Sequence, residues 1–114
     1  MVTLDKLAHE MGLTHVCGDT DREICGCYAG DLLSWVMSHA KYGHVWITIM
    51  SNINVIAVAG LTEVACVVLA EGVQLDPDAR EAAEKQNVCV FTSPLSTYEL
   101  CTLAGKYINE KVLL

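Results

Sequence analysis

Three strand-sized apolar blocks, Val45–Met50 (VWITIM), Val64–Ala70 (VACVVLA) and Val88–Phe91 (VCVF), each end in a short polar turn that leads to a helix signal. Blocks this short and this poor in polar residues suit strands covered on both faces, the environment of a parallel sheet. Strands alternating with helices define an α/β fold, a single-domain layered sandwich with a largely parallel sheet flanked by helices. In such a sheet the turns that trail the strands gather along one rim, where α/β proteins hold their ligands.

The helix signals are local. Thr3 is placed to cap a helix from Leu4 to about Met11, with Val2 and Leu7 as a hydrophobic staple, Gly12 closing its end and Leu4, Leu7, Ala8 and Met11 as its buried stripe. Two strand-like pieces follow, Thr14–Cys17 and Glu23–Tyr28, around the turn GDTDR, where Asp21-Arg22-Glu23 reads as a local ion pair. Asp31 is the expected N-cap of a second helix that turns Leu32, Leu33, Val36, Met37 and Ala40 inward and Trp35, His39 and Tyr42 outward. Helix Ile53–Leu61 is apolar nearly all round, so it needs cover on more than one side. Asp76-Pro77 opens a further helix through about Gln86, with Ala79, Ala82 and Ala83 inward. Ser96-Thr97-Tyr98-Glu99 forms a capping box for the last, stapled by Leu95 and Leu100.

With 114 residues, read as one domain over 1–114, and 53% hydrophobic against 18% charged residues, the chain has more apolar surface than so small an interior accommodates. The simplest cover is a second copy, so a homodimer is expected, with Trp35, Ile53, Ile56, Ala57 and Gly60 at the interface. The Trp35 face either joins that interface or meets a different protein partner. A net charge of −7 and scattered basic residues exclude a general nucleic-acid binder. Gly60, Thr62 and Glu63 interrupt the longest apolar region, Ile53–Ala70, which argues against a membrane span. Met1–Met11 carries Asp5 and Glu10, unlike a secretory leader, and a cytoplasmic location is expected.

The trailing turns supply the candidate ligand site: Gly30-Asp31, Ser51-Asn52, Glu71-Gly72 and Thr92-Ser93. Free helix N-terminal amides with short hydroxyl or amide side chains suit a small polar ligand or nucleotide. The same residue types also cap helices in any α/β fold, and Asp31 and Glu71 would repel a phosphate. A second candidate is the set His15, Cys17, Cys25 and Cys27, whose imidazole and thiolates suit zinc or an iron–sulfur cluster, although no Cys-x-x-Cys pair is present. Cys66, Cys89 and Cys101 lie in apolar or helical runs and read as small buried hydrophobes.

From Gly30 onward the order of pieces resembles the DRTGG domain: the strand WITIM with Ser51-Asn52-Ile53, the helix NVIAVAGL, the strand ACVVLAEG, then Leu75-Asp76-Pro77, the strand VCVFTSP and the capped helix STYEL. Where the family pattern has Asp-Arg-Thr this chain has Ser51-Asn52-Ile53, and where it has Gly-Gly this chain has Glu71-Gly72, so the resemblance is to a divergent member. It implies an α/β module of the kind attached to CBS-containing pyrophosphatases and similar to the N-terminal domain of HPr kinase/phosphorylases, with stand-alone versions near iron hydrogenases. Kinase activity is not implied: Gly105-Lys106 is followed by Tyr107, and Leu100 stands where the first glycine of a P-loop belongs. The expectation is therefore a non-catalytic regulatory or interaction module without a cofactor. The alternative is a metal- or redox-binding accessory protein of a hydrogenase-type anaerobic system.

Overall fold

The computed structural model describes residues 2–108. In chain order the elements are β1 (Val2–Thr3), α1 (Leu4–Met11), β2 (Thr14–Cys17), β3 (Glu23–Ile24), β4 (Gly26–Ala29), α2 (Leu33–His39), β5 (His44–Thr48), α3 (Ile53–Thr62), β6 (Cys66–Leu69), α4 (Pro77–Gln86), β7 (Val90–Thr92) and α5 (Thr97–Ile108). Five strands form one sheet in the order β2-β7-β6-β5-β4, parallel throughout except for β2, which runs antiparallel to β7 with an irregularity between His15 and Cys17. β1 and β3 make a separate two-stranded ribbon.

The pleat explains why the central blocks are apolar without alternation. Val45 and Ile47 of β5 and Cys66 and Val68 of β6 point into a core shared with α1 and α5. Trp46, Val67 and Leu69 point the other way, into a core shared with α2, α3 and α4. Successive strand residues thus serve opposite faces, and both faces are dry.

Local chemistry places the helix ends as the sequence signals require. Thr3 Oγ1 accepts the Lys6 amide at 3.3 Å, and Gly12 closes α1 in the left-handed region. The capping box of α5 is reciprocal: the Ser96 amide donates to Glu99 Oε1 at 3.0 Å and the Glu99 amide to Ser96 Oγ at 3.1 Å. Pro77 occupies the first turn of α4, where its missing N–H costs nothing.

Other expectations change on contact with the tertiary structure. The stretch Glu23–Tyr28 is two strands, because Glu23 and Ile24 pair with β1 while Cys25 turns to the Gly43 carbonyl at 3.0 Å. Asp31 does not cap α2; Leu32 stands there with no side-chain cap. Of its expected inward residues Val36 and Ala40 are buried, but Leu32 and Met37 are exposed at 61% and 44%. Arg22 forms no ion pair with Asp21 or Glu23 among the described residues, and its guanidinium instead donates to the Ala65 and Asn87 carbonyls at 3.0 and 2.6 Å.

Gly18, at φ +86, lets β2 approach β7: a Cβ there would lie 2.4 Å from Cys89 Cα and 2.5 Å from the Val88 oxygen. Backbone cannot yield as a side-chain tip can. Gly18→Ala is expected to lower stability by about 2 kcal/mol or more, read as a fall in the urea midpoint at unchanged slope.

Candidate functional site

Because β4, β5, β6 and β7 are parallel, the turns after them come to one rim, and Asp31, Asn52, Glu71 and Ser93 lie along it. Their polar groups are largely joined to one another. Asp31 Oδ1 accepts both the Thr48 hydroxyl at 2.7 Å and the Ile49 amide at 3.0 Å, tying the turn after β4 to the end of β5. Ser51 Oγ donates to Asp76 Oδ1 at 2.9 Å, and the Asp76 amide returns a bond to the Ser51 carbonyl at 3.1 Å. Asn52 Oδ1 accepts the Asn54 amide at 2.9 Å and caps α3.

Glu71 and Gly72 both adopt positive φ, +62° and +74°. The turn therefore has a backbone that glycine fits best, with Glu71 holding one such position under strain. Their amides donate to the Leu95 and Ser93 carbonyls at 2.8 and 2.9 Å, so this pair of donors points at protein. Thr92 and Ser93 are buried, and Ser93 Oγ accepts the Leu95 amide at 3.1 Å. Gly30 contributes through its backbone: its carbonyl accepts the indole N–H of the fully buried Trp46 at 2.9 Å. Thr48, which the sequence does not single out, is the buried hydroxyl on which the Asp31 contact depends; its place at the end of a buried strand was the available signal.

The four residues His15, Cys17, Cys25 and Cys27 are not brought together. β2 and β4 are opposite edges of the sheet, four strand spacings of ~4.8 Å and so roughly 19 Å apart. His15 Nε2 bonds the Gly18 carbonyl at 2.7 Å, and Cys25 Sγ reaches the Tyr42 carbonyl at 3.2 Å. Cys25 is exposed, whereas Cys27 packs into the core beneath α5. The expected common side for Cys25 and Cys27 fails because Cys25 lies outside β4. Burial, with Cys101 nearby, pushes the Cys27 thiol up to about 12, and burial raises Cys66 well above its ordinary value, with Cys89 and Cys27 adding to the rise. In register, Cys27 faces Val45 and Val45 faces Cys66, a row of small side chains beneath α5 and α1. Among the described residues no three His, Cys, Asp or Glu side chains stand close enough to hold a metal ion.

Gly105-Lys106 lies inside α5 rather than in a strand-to-helix loop, so no phosphate-cradling turn forms there. The expected interface residues divide. Trp35, Ile53, Ala57 and Gly60 are exposed, but Ile56 is fully buried and packs in the core with Val55 and Ala59. Ile56 is therefore a core residue, because α3 packs between α2 and α4 and turns this side chain toward the sheet. Leu61, 73% exposed, joins the outward stripe that the sequence assigned without it. Tyr42, expected beside Trp35 and His39, lies beyond the end of α2; Trp35 and His39 do stack, with centroids 5.0 Å apart.

A cleft of about 700 Å³ opens at the opposite end of the sheet, where Arg22, Glu63 and Asn87 meet. Sequence reasoning passed over it because it is assembled from helix C-termini and the turn before β3, positions with no motif of their own.

No family profile matches this chain, and no curated protein matches it. Among solved structures the fold is similar to the CBS and DRTGG domains of the regulatory region of Clostridium perfringens pyrophosphatase, complexed with its activator diadenosine tetraphosphate. The TM-score is 0.69 at 13% identity, over 90% of this chain and 46% of that one. The chain thus spans about half the length of that structure, and the likeness is one of fold, a DRTGG-like α/β fold.

Thr48 makes Asp31 testable as a structural residue. Asp31→Ala leaves a buried hydroxyl and an amide without their acceptor and is expected to cost about 1–2 kcal/mol. Asp31→Asn, which keeps an acceptor oxygen, should cost less than half of that in the same thermal or urea unfolding series.

Proposed function

We propose that this chain is a non-catalytic regulatory module that acts as a homodimer through the outer face of α2 and α3. One observation carries the reading. Residues 32–40 and 53–62 contain no Asp, Glu, Lys or Arg, in a chain of net charge −7. On that uncharged surface Trp35, Ile53 and Leu61 are exposed at 57%, 45% and 73%. Depletion of charge with an aromatic and large aliphatic residues is the composition of an interface centre. A second copy suits it because the same uncharged patch meets itself while the carboxylates of α4 remain outside. The small residues Ala57 and Gly60 on the outer side of α3 permit close approach.

The fold likeness to a regulatory region supports regulation over catalysis, and no described helix is long and apolar enough to cross a membrane. Light scattering on the eluting protein should give twice the chain mass at micromolar concentration. Leu61→Asp, which touches no core contact, should elute as a monomer with an unchanged thermal midpoint. A wild-type monomer at that concentration overturns the dimer.

The proposed input is a small polar ligand at the rim. Asn52 is exposed, and its amide NH2 makes no hydrogen bond among the described residues. The activator bound by the neighbouring structure is a polyphosphate, whereas here Asp31 and Glu71 put negative charge on the rim and its amides are engaged. An uncharged polar metabolite suits this surface better. In a thermal-shift screen such a compound should raise the midpoint of the wild type and not of Asn52→Ala; an equal shift in both removes the rim from the proposal.

A further inference from the structure

α2 carries one histidine, the side-chain type whose charge changes near neutral pH. His39 stands in its last turn, exposed, one helical turn from Trp35 and on the same face. Its ring stacks on two others. It lies on Trp35 with centroids 5.0 Å apart and planes 6° from parallel, and on Tyr28 of β4 at 5.9 Å and 12°. Nδ1 is 2.8 Å from the Trp35 carbonyl, and a carbonyl only accepts, so Nδ1 carries the proton of the neutral ring. Nε2 makes no hydrogen bond among the described residues. A second proton therefore enters at Nε2 and breaks no bond of the monomer. The charge it brings rests against two aromatic rings at the negative end of α2, which the free monomer tolerates.

The same charge is out of place between two copies. Residues 32–40 and 53–62 contain no Asp, Glu, Lys or Arg, so the matching patch of a second copy offers it no carboxylate. In a two-fold pair each copy brings one imidazolium to an otherwise uncharged contact, and taking it out of water is costly. Groups packed around α2 do not relieve this. α3 has no titratable side chain, and Glu63, which closes it, forms no ion pair with His39 among the described residues. Tyr28 faces His39 from β4, Lys41 follows the Ala40 cap, and β5 begins with His44. A lysine is cationic throughout the range in which histidine titrates. Burial, with Lys41 adding to it, lowers His44 below the ordinary imidazole value, and His44 Nδ1 accepts the Lys41 amide at 3.2 Å.

We infer that His39 makes the contact between copies pH-sensitive: the homodimer holds while His39 is neutral and opens when His39 is protonated. The inference rests on the dimer proposed above and adds its regulation. Its sign separates it from bulk charge. The net charge of −7 moves towards zero as pH falls towards the isoelectric point of about 4.8, so general repulsion between copies weakens in acid and tightens a dimer. A dimer that loosens in acid needs a group that gains charge inside the contact.

Light scattering over a dilution series of the full chain, at about pH 8 and about pH 5.5, tests it. The dimer is expected to be about tenfold or more weaker at the lower pH, with unchanged far-UV circular dichroism. His39→Gln and His39→Phe should remain dimeric at both pH values, and His39→Lys should be monomeric at both. His39→Phe keeps a ring in the stack, so it decides the matter if His39→Gln fails to dimerise. His9→Gln, on α1 across the sheet, should keep the wild-type response. A wild-type dimer as tight or tighter at the lower pH overturns the inference and leaves the dimer standing. So does a wild-type pH response retained by His39→Phe, or dissociation that accompanies loss of circular dichroism. A wild-type monomer at both pH values overturns the dimer and this inference together.

Discussion

Two central strands with no solvent face organise this molecule. Every residue of β6 and the run Val45–Thr48 of β5 is buried, with alternate side chains serving opposite cores. A fully buried side chain of this size contributes about 1.5–3 kcal/mol, so helices must cover both sides of the sheet. That need places α1 and α5 on one face and α2, α3 and α4 on the other. It also directs the trailing turns to one rim and the helix C-termini to the opposite one. Both rims are consequences of this arrangement.

The two rims differ in what their polar groups do. At the trailing rim, hydrogen bonds run between loops: Asp31 to Thr48 and Ile49, Ser51 to Asp76, and Glu71 and Gly72 to the segment before α5. These bonds hold the three crossovers in register, and they leave few donors free for an anion. At the leading rim Arg22 anchors two backbone carbonyls, while three carboxylates face a cleft without a described ionic partner. The trailing turns Gly30-Asp31, Ser51-Asn52, Glu71-Gly72 and Thr92-Ser93 carry no Lys or Arg. The uncharged α2–α3 face lies beside both, and Gly60 belongs to that face and to the wall of the cleft.

The cysteines illustrate how an attractive sequence pattern dissolves in three dimensions. His15-x-Cys17 and Cys25-x-Cys27 lie close along the chain, but a strand that leaves for the far edge of the sheet separates them by the width of the sheet. The thiols that do share a face, Cys27, Cys66 and Cys89, are small side chains in a tightly covered core. Burial lifts them out of the range where a thiolate persists at neutral pH.

Much of the architecture was legible in residue order. The three apolar blocks, the capping box Ser96–Glu99, the Thr3 cap, Gly12 and Asp76-Pro77 are short-range signals, and short-range physics is what a sequence writes plainly. The gathering of Asp31, Asn52, Glu71 and Ser93 on one rim also followed, since it needs only parallel strands. What tertiary structure alone decided was which partner each polar group met. Asp31 passed from helix cap to acceptor for Thr48, Arg22 from ion pair to carbonyl clamp, and Ile56 from interface to core. It also placed β2 beyond β7 and assembled the acidic cleft from segments distant along the chain. The reason is that periodicity and capping act within about one turn of a residue. The choice among hydrogen-bond partners and the depth of burial are set by elements that come together only once the sheet has formed.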